Sequence, residues 1–280
     1  MRCTRQVRLP DGTAVPAIGL GTWRMGEREG SRKAEIAALR RGLDLGLALI
    51  DTAEMYGDGG SERVVGEALA GRRDEAFVVS KVYPHNAGRK SAIAACERSL
   101  SRLRIPCLDL YLLHWRGGIA LAETVEAFER LKRDGKIARW GVSNFDVDDL
   151  DELASVAGSN GCAVNQVLYH LGERGIERGA RERCRAWPMP VMAYSPFDEG
   201  RLLGNAALLR LAREAGTPAA TLALAWLVSH DDVIAIPKAA RVEHVDAIAA
   251  ADAFRIEPGL AAALDRAFPP PGKRKPLAMI

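Results

Sequence analysis

Several common signatures are missing from this chain of 280 residues. Its five cysteines, at positions 3, 96, 107, 162 and 184, include no CxxC pair and no spacing of a metal or redox site. Their number is odd and no framework of bridges is visible, so a reducing compartment is expected. The stretch Met1-Arg2-Cys3-Thr4-Arg5 has no apolar leader core. No run approaches the ~18 uncharged apolar residues of a membrane helix. The expected location is the cytoplasm, with no membrane contact. Neither sign of charge dominates, since 39 Lys and Arg face 36 Asp and Glu for a net charge of +3. The arginines are spread over many helices rather than gathered in a stripe, which speaks against a nucleic-acid partner. No G-x-G-x-x-G follows a strand, so a Rossmann dinucleotide site is not indicated. A nucleophilic serine elbow is missing too.

What remains is the pattern of an ordinary globular enzyme, 48% apolar and 27% charged. Residues 5 to 15 read as a hairpin around Pro10-Asp11-Gly12, where Pro presets φ and Gly accepts a positive one. From Leu20 onward, short apolar strands alternate with helices. The strands end near Asp51, Val82, Trp115, Asn144, Leu168, Ser195 and Pro237. Helices are expected near 61–70, 90–104, 121–134, 176–187, 205–215 and 218–229, with a last pair within 241–268. Asp146 and Asp149 form a capping-box signature, with Phe145 and Leu150 as its hydrophobic staple. The strands are near-continuous apolar runs, as expected when both faces are buried. Eight such units with no linker predict an α/β protein, a single (β/α)8 TIM barrel domain over residues 1–280 with an N-terminal β-hairpin. The tail Pro269-Pro270-Pro271-Gly272-Lys273-Arg274-Lys275 reads as an irregular flap.

Polar residues interrupt these runs at one end. Asp51 closes one strand, Lys81 the next and His114 the one after, while Tyr56 hangs on the loop behind Asp51. Taken singly, each has a plainer reading: a strand-end lysine reaches solvent, an aspartate caps a turn, a histidine fills a core. Together on consecutive strand ends they make a site. A carboxylate would hold the lysine charged, and the ammonium would favour the phenolate and so lower the tyrosine. A histidine N–H could orient a carbonyl and stabilise developing negative charge. This is a general-acid constellation that needs a hydride source. A Schiff-base lyase with Lys81 as nucleophile is the alternative on the same scaffold.

The order of short words along the chain resembles the aldo-keto reductase family over nearly its whole length. They are Gly19-Leu20-Gly21-Thr22-Trp23, Asp51-Thr52-Ala53 with Tyr56-Gly57, Ser61-Glu62 leading to Gly66, and Ser80-Lys81-Val82. Leu108-Asp109-Leu110-Tyr111 with His114, Gly141-Val142-Ser143-Asn144-Phe145, Asn165-Gln166, Ala193-Tyr194-Ser195-Pro196 and Ile236-Pro237-Lys238 follow. Lys81-Val82-Tyr83-Pro84 and Asn165 to His170 narrow the likeness to bacterial reducers of methylglyoxal and other small aldehydes. The resemblance implies a catalytic tetrad of Asp51, Tyr56, Lys81 and His114, with Tyr56 as proton donor. It implies NADPH as cofactor, with NADH the alternative. Gly21, Thr22 and Asp51 would lie near the nicotinamide ribose. Ser143, Asn144 and Gln166 would hold the carboxamide, and Tyr194 would stack on the ring. Ser195 and Phe197 would meet the pyrophosphate, and Lys238 the 2′-phosphate. Trp23 and Trp115 would join Tyr56 and His114 around a small carbonyl substrate. The resemblance also implies a monomer without a metal, and it leaves a nicotinamide-binding regulatory subunit with little turnover as another alternative. Where many members carry serine, arginine and asparagine after the Ile-Pro-Lys word, this chain has Ala239, His244 and Ile248. Arg241 and His244 are the remaining candidates for the phosphate.

Overall fold

The computed structural model describes residues 2–280. A hairpin comes first, β1 (Gln6–Arg8) antiparallel to β2 (Ala14–Pro16). Its turn is tied by Leu9 N to Thr13 O at 2.9 Å and by Thr13 N to Asp11 Oδ1 at 2.9 Å. The units β3 (Leu20–Gly21), α1 (Arg32–Asp44), β4 (Leu49–Asp51), α2 (Gly60–Ala68), β5 (Phe77–Val82), α3 (Ser91–Leu103), β6 (Leu110–Leu113) and α4 (Leu121–Arg133) follow. Then come β7 (Trp140–Ser143), α5 (Val147–Ala154), β8 (Cys162–Leu168), α6 (Ala180–Ala186) and β9 (Val191–Tyr194). The chain closes with α7 (Ala206–Glu214), α8 (Ala219–Leu227), β10 (Val233–Ala235), α9 (Val242–Ala253) and α10 (Pro258–Ala267).

Strands β3 to β10 are parallel and neighbour one another in chain order. Their first and last members meet as well, since Ala235 N donates to Ala17 O and Gly19 N to Ala235 O, both at 2.8 Å. Gly21 N donates to Pro237 O at 2.9 Å. A Cβ on Gly21 would stand 2.8 Å from the Ile236 carbonyl oxygen, so only glycine permits this approach. The result is the (β/α)8 barrel expected from the alternation. Buried strands such as Val78-Val79 and Leu110-Tyr111-Leu112 face helices on one side and the barrel interior on the other.

The hairpin sits at the amino ends of the strands, where Arg139, just ahead of β7, holds Asp11 at 2.6 Å. A cleft of about 430 Å³ lies beneath it, lined by residues that include Arg5, Ala48 and Phe77. The capping box of α5 is present as read from Asp146 and Asp149. One helix is shorter than expected. Over 176–187 a 3₁₀ turn, Gly175–Arg178, precedes α6, and the non-helical backbone of Gly179 (φ 160°, ψ −95°) separates them. The tail after α10 is irregular but anchored, with Arg274 at 3.1 Å from Asp148 and 3.5 Å from Asp146. No helix among the described residues is long and apolar enough to cross a membrane.

Candidate functional site

The carboxyl ends of the strands carry the polar residues. Asp51 is the last residue of β4, Lys81 the next to last of β5, and His114 follows β6. The Lys81 ammonium is fully buried and has three partners. It donates to Asp51 Oδ2 at 2.7 Å, to the Thr52 carbonyl at 2.9 Å and to the Tyr56 hydroxyl at 3.1 Å. The second oxygen of Asp51 accepts from Gln166 Nε2 at 2.8 Å. The tyrosine lies on a tight loop, where its carbonyl accepts from Ser61 N at 3.2 Å.

Ser61, Thr22 and Thr52 fix the base of that loop. Ser61 Oγ donates to Thr22 Oγ1 at 2.6 Å and lies 2.9 Å from Thr52 Oγ1, and all three are buried. Thr22 Oγ1 in turn donates to the Asp51 carbonyl at 2.9 Å. The next residue, Glu62, accepts from Ser80 Oγ at 2.6 Å behind the barrel wall. Gly26 and Gly60 touch backbone to backbone; a Cβ on Gly60 would come within 2.7 Å of the Gly26 carbonyl oxygen.

Electrostatics follow from burial and pairing. Desolvation pulls the Lys81 ammonium down, but Asp51 and Tyr56 together outweigh it and raise its pKa. The phenol departs from the sequence expectation. Burial raises Tyr56 above its ordinary value by more than the Lys81 charge lowers it, with Asp51 adding to the rise. The ammonium therefore does not make a free phenolate; it leaves a protonated phenol beside a fixed positive charge. His114 falls to about 2, through burial first and the Lys81 charge second, so its ring is neutral. Its Nδ1 is buried without a partner among the described residues.

Aromatic rings surround the phenol. Trp23 meets Tyr56 edge-on at 4.9 Å between centroids, and Tyr56 meets His114 at 5.8 Å. His114 lies 4.8 Å from Trp115, which meets Tyr83 at 5.8 Å. Trp23 is 40% exposed, so this ring of side chains opens to solvent. Beside it stands a polar wall. Ser143 Oγ donates to the Gln166 carbonyl at 2.9 Å, Asn144 Nδ2 to the His114 carbonyl at 3.1 Å, and the Tyr194 hydroxyl to Asn144 Oδ1 at 2.9 Å. Asn144 (φ 58°) and Ser195 (φ 47°) both hold left-handed backbone at the ends of β7 and β9. Ser195 and Phe197 are half-buried; beyond β10, Lys238, Arg241 and His244 are exposed at one edge, with Arg241 Nη2 3.2 Å from His244 Nε2. Ala239 and Ile248 are buried and belong to the core.

The sequence pattern of the Aldo/keto reductase family matches residues 17–267. The chain belongs to this family. It is 52% identical to methylglyoxal reductase YeaE of Escherichia coli, a match spanning 99% of each chain. It is 34% identical to glyoxal reductase of Bacillus subtilis, over 90% of this chain and 87% of that one. Among solved structures, an aldo/keto reductase from Klebsiella pneumoniae in complex with NADP and acetate superposes with a TM-score of 0.96 at 50% identity, covering 99% of this chain and all of the other. The same bacterium supplies a complex with NADPH, again at a TM-score of 0.96. The chain is thus an oxidoreductase of the aldo/keto reductase type.

Two carboxylates of the reductase escaped the sequence reading. Glu35, on α1, is buried and accepts from Gly26 N at 3.0 Å, which holds the loop that carries Trp23. Glu54, two residues before Tyr56, accepts from Tyr83 N at 2.9 Å. Tyr83 itself, quoted only as part of a word, stands between Trp115 and His85, on which it stacks at 4.7 Å. Each carboxylate binds a backbone N–H, which leaves no trace in sequence, and their side-chain donors, Ser31 Oγ at 2.7 Å for Glu35 and Asn86 Nδ2 at 3.1 Å for Glu54, form no motif.

Proposed function

We propose that the chain acts as a single barrel domain that reduces small aldehydes and ketoaldehydes of the methylglyoxal type with NADPH. The observation that carries this is the buried Lys81 ammonium joined at once to Asp51 and to the Tyr56 hydroxyl, at the open end of a barrel of this family. The donor set suits a nicotinamide dinucleotide phosphate. Asn144 Oδ1 accepts from the hydroxyl of the half-buried Tyr194, Gln166 reaches Asp51 from β8, and exposed Lys238 and Arg241 offer cationic partners for a phosphate. NADP and NADPH in the Klebsiella pneumoniae relatives support the same choice. Bound there, the dinucleotide supplies the hydride.

The protein residues handle the proton. Tyr56 gives its hydroxyl proton to the carbonyl oxygen as that oxygen gains charge. Its raised pKa keeps the proton in place at neutral pH until then. Lys81, held charged by Asp51, stabilises the phenolate that remains. Neutral His114 offers a ring N–H to the carbonyl oxygen, which fixes the face presented for attack. Trp23 and Trp115 form the apolar sides of the pocket. An amine nucleophile is disfavoured by the same geometry, since Lys81 is kept as an ammonium by two partners.

The test is NADPH oxidation with methylglyoxal by the wild type and by Tyr56→Phe. Loss of the acid should cut kcat by about 10²- to 10⁴-fold while NADPH binding persists. Full activity in Tyr56→Phe would remove the assigned acid.

A further inference from the structure

The turn after β5 is held from both sides. On one side is Glu54, which is buried and whose Oε1 accepts from both Tyr83 N at 2.9 Å and Asn86 Nδ2 at 3.1 Å. On the other is the loop after β6, where Gly117 packs so closely on Pro84 that a Cβ there would lie 2.5 Å from the Pro84 Cβ. The turn between them, Pro84–Asn86, is short and 3₁₀ in form, with Asn86 N donating to Tyr83 O at 2.9 Å. Tyr83 emerges from it edge-on to Trp115. Glu54 is also tied to the barrel through its own N–H, which donates to the Lys81 carbonyl at 3.3 Å.

We propose that Glu54 is a positioning residue for the aldehyde pocket: it locks the Tyr83 turn to the Tyr56 loop, so that the Tyr83–Trp115 wall stands at a fixed distance from the proton donor. This rests on the reading of Tyr56 as the acid and Trp115 as a pocket wall. The work is done by acceptor oxygens, not by charge. The cation paired with Glu54 among the described residues, Arg98, is 3.8 Å away with half of its side chain exposed, a pairing of little worth. A glutamine can supply the same Oε1 to both donors. An alanine leaves two donors, on half-buried Tyr83 and Asn86, without their acceptor.

The experiment measures KM and kcat for methylglyoxal at saturating NADPH in the wild type, Glu54→Gln and Glu54→Ala. The alanine variant should raise KM by about tenfold, the scale of one lost hydrogen-bond partner, with kcat changed far less and NADPH affinity unchanged. The glutamine variant should restore KM, and amide exchange at Tyr83 should quicken only with alanine. Tyr83→Leu serves if the alanine variant does not fold. It should raise KM in the same way, and adding Glu54→Gln to it should change nothing further. An unchanged KM in Glu54→Ala, or a glutamine variant as impaired as the alanine one, overturns the proposal while the wild type still turns over. A wild type inactive with NADPH and methylglyoxal would sink the functional reading and this one with it.

Discussion

Gln166 donates its side-chain amide to Asp51 from the far side of the barrel, Nε2 to Oδ1 at 2.8 Å, on the carboxylate oxygen that Lys81 does not bind. The proposed carboxamide seat on β8 and the proposed acid–amine pair on β4 and β5 are therefore one network. Gln166→Glu would set a second carboxylate against the first at hydrogen-bond distance. Like charges that close raise one of the two pKa values strongly. The expected outcome is a drop in kcat/KM that is relieved as pH falls and one carboxyl takes up a proton. A pH–rate profile identical to the wild type would show that the network does not act as a unit.

Asp51 and Lys81 form an ion pair with almost no exposure. Asp51→Asn leaves the ammonium in a buried place with only neutral partners, and such losses cost about 3–5 kcal/mol. Denaturant unfolding should show that fall. Replacing both partners, Asp51→Asn with Lys81→Met, should recover part of it, because the uncompensated charge is gone. A double variant less stable than Asp51→Asn alone would contradict this account of the pair.

Much of this site was readable beforehand because barrel strands are buried on both faces. An apolar run such as Tyr111-Leu112-Leu113 then ends visibly at the first polar residue, His114, and the same holds for Ile50 and Asp51. The capping box at Asp146 and Asp149 was readable because both halves are side chains. The supports of the pocket were not. Glu35 and Glu54 bind the N–H groups of Gly26 and Tyr83, and backbone groups leave no trace in a sequence. The direction of the Tyr56 shift was misread for a related reason. It depends on how much water the fold removes from around the phenol, and spacing along the chain carries no such information.

Lys238, Arg241 and His244 stand exposed beyond β10 and are the proposed partners of the 2′-phosphate. Lys238→Ala should weaken NADPH binding by about tenfold or more, the scale of a charge-assisted hydrogen bond to phosphate, and leave NADH binding unchanged. Fluorescence titration of both cofactors checks this. Equal losses for the two would place Lys238 away from the 2′-phosphate.

The last expectation concerns acid. In the folded chain His114 titrates at about 2, against 6.5 for the exposed side chain. Between these values the unfolded chain binds a proton there and the native chain does not. Stability therefore rises with pH in this window and is lost as pH falls through it. One such site makes the native state weaker by about 1.4 kcal/mol on going from about pH 7.5 to about pH 5.5. His170 and His230 are also depressed by burial and add slopes of the same sign. His114→Gln removes one proton from the sum and keeps a polar side chain in the place. Urea unfolding across this range should then show a flatter loss for His114→Gln, so that the gap between it and the wild type moves in favour of the variant as pH drops. Parallel curves for the two proteins would mean that His114 is charged in the native state or that it titrates alike in both, and a neutral ring beside Lys81 could not be maintained.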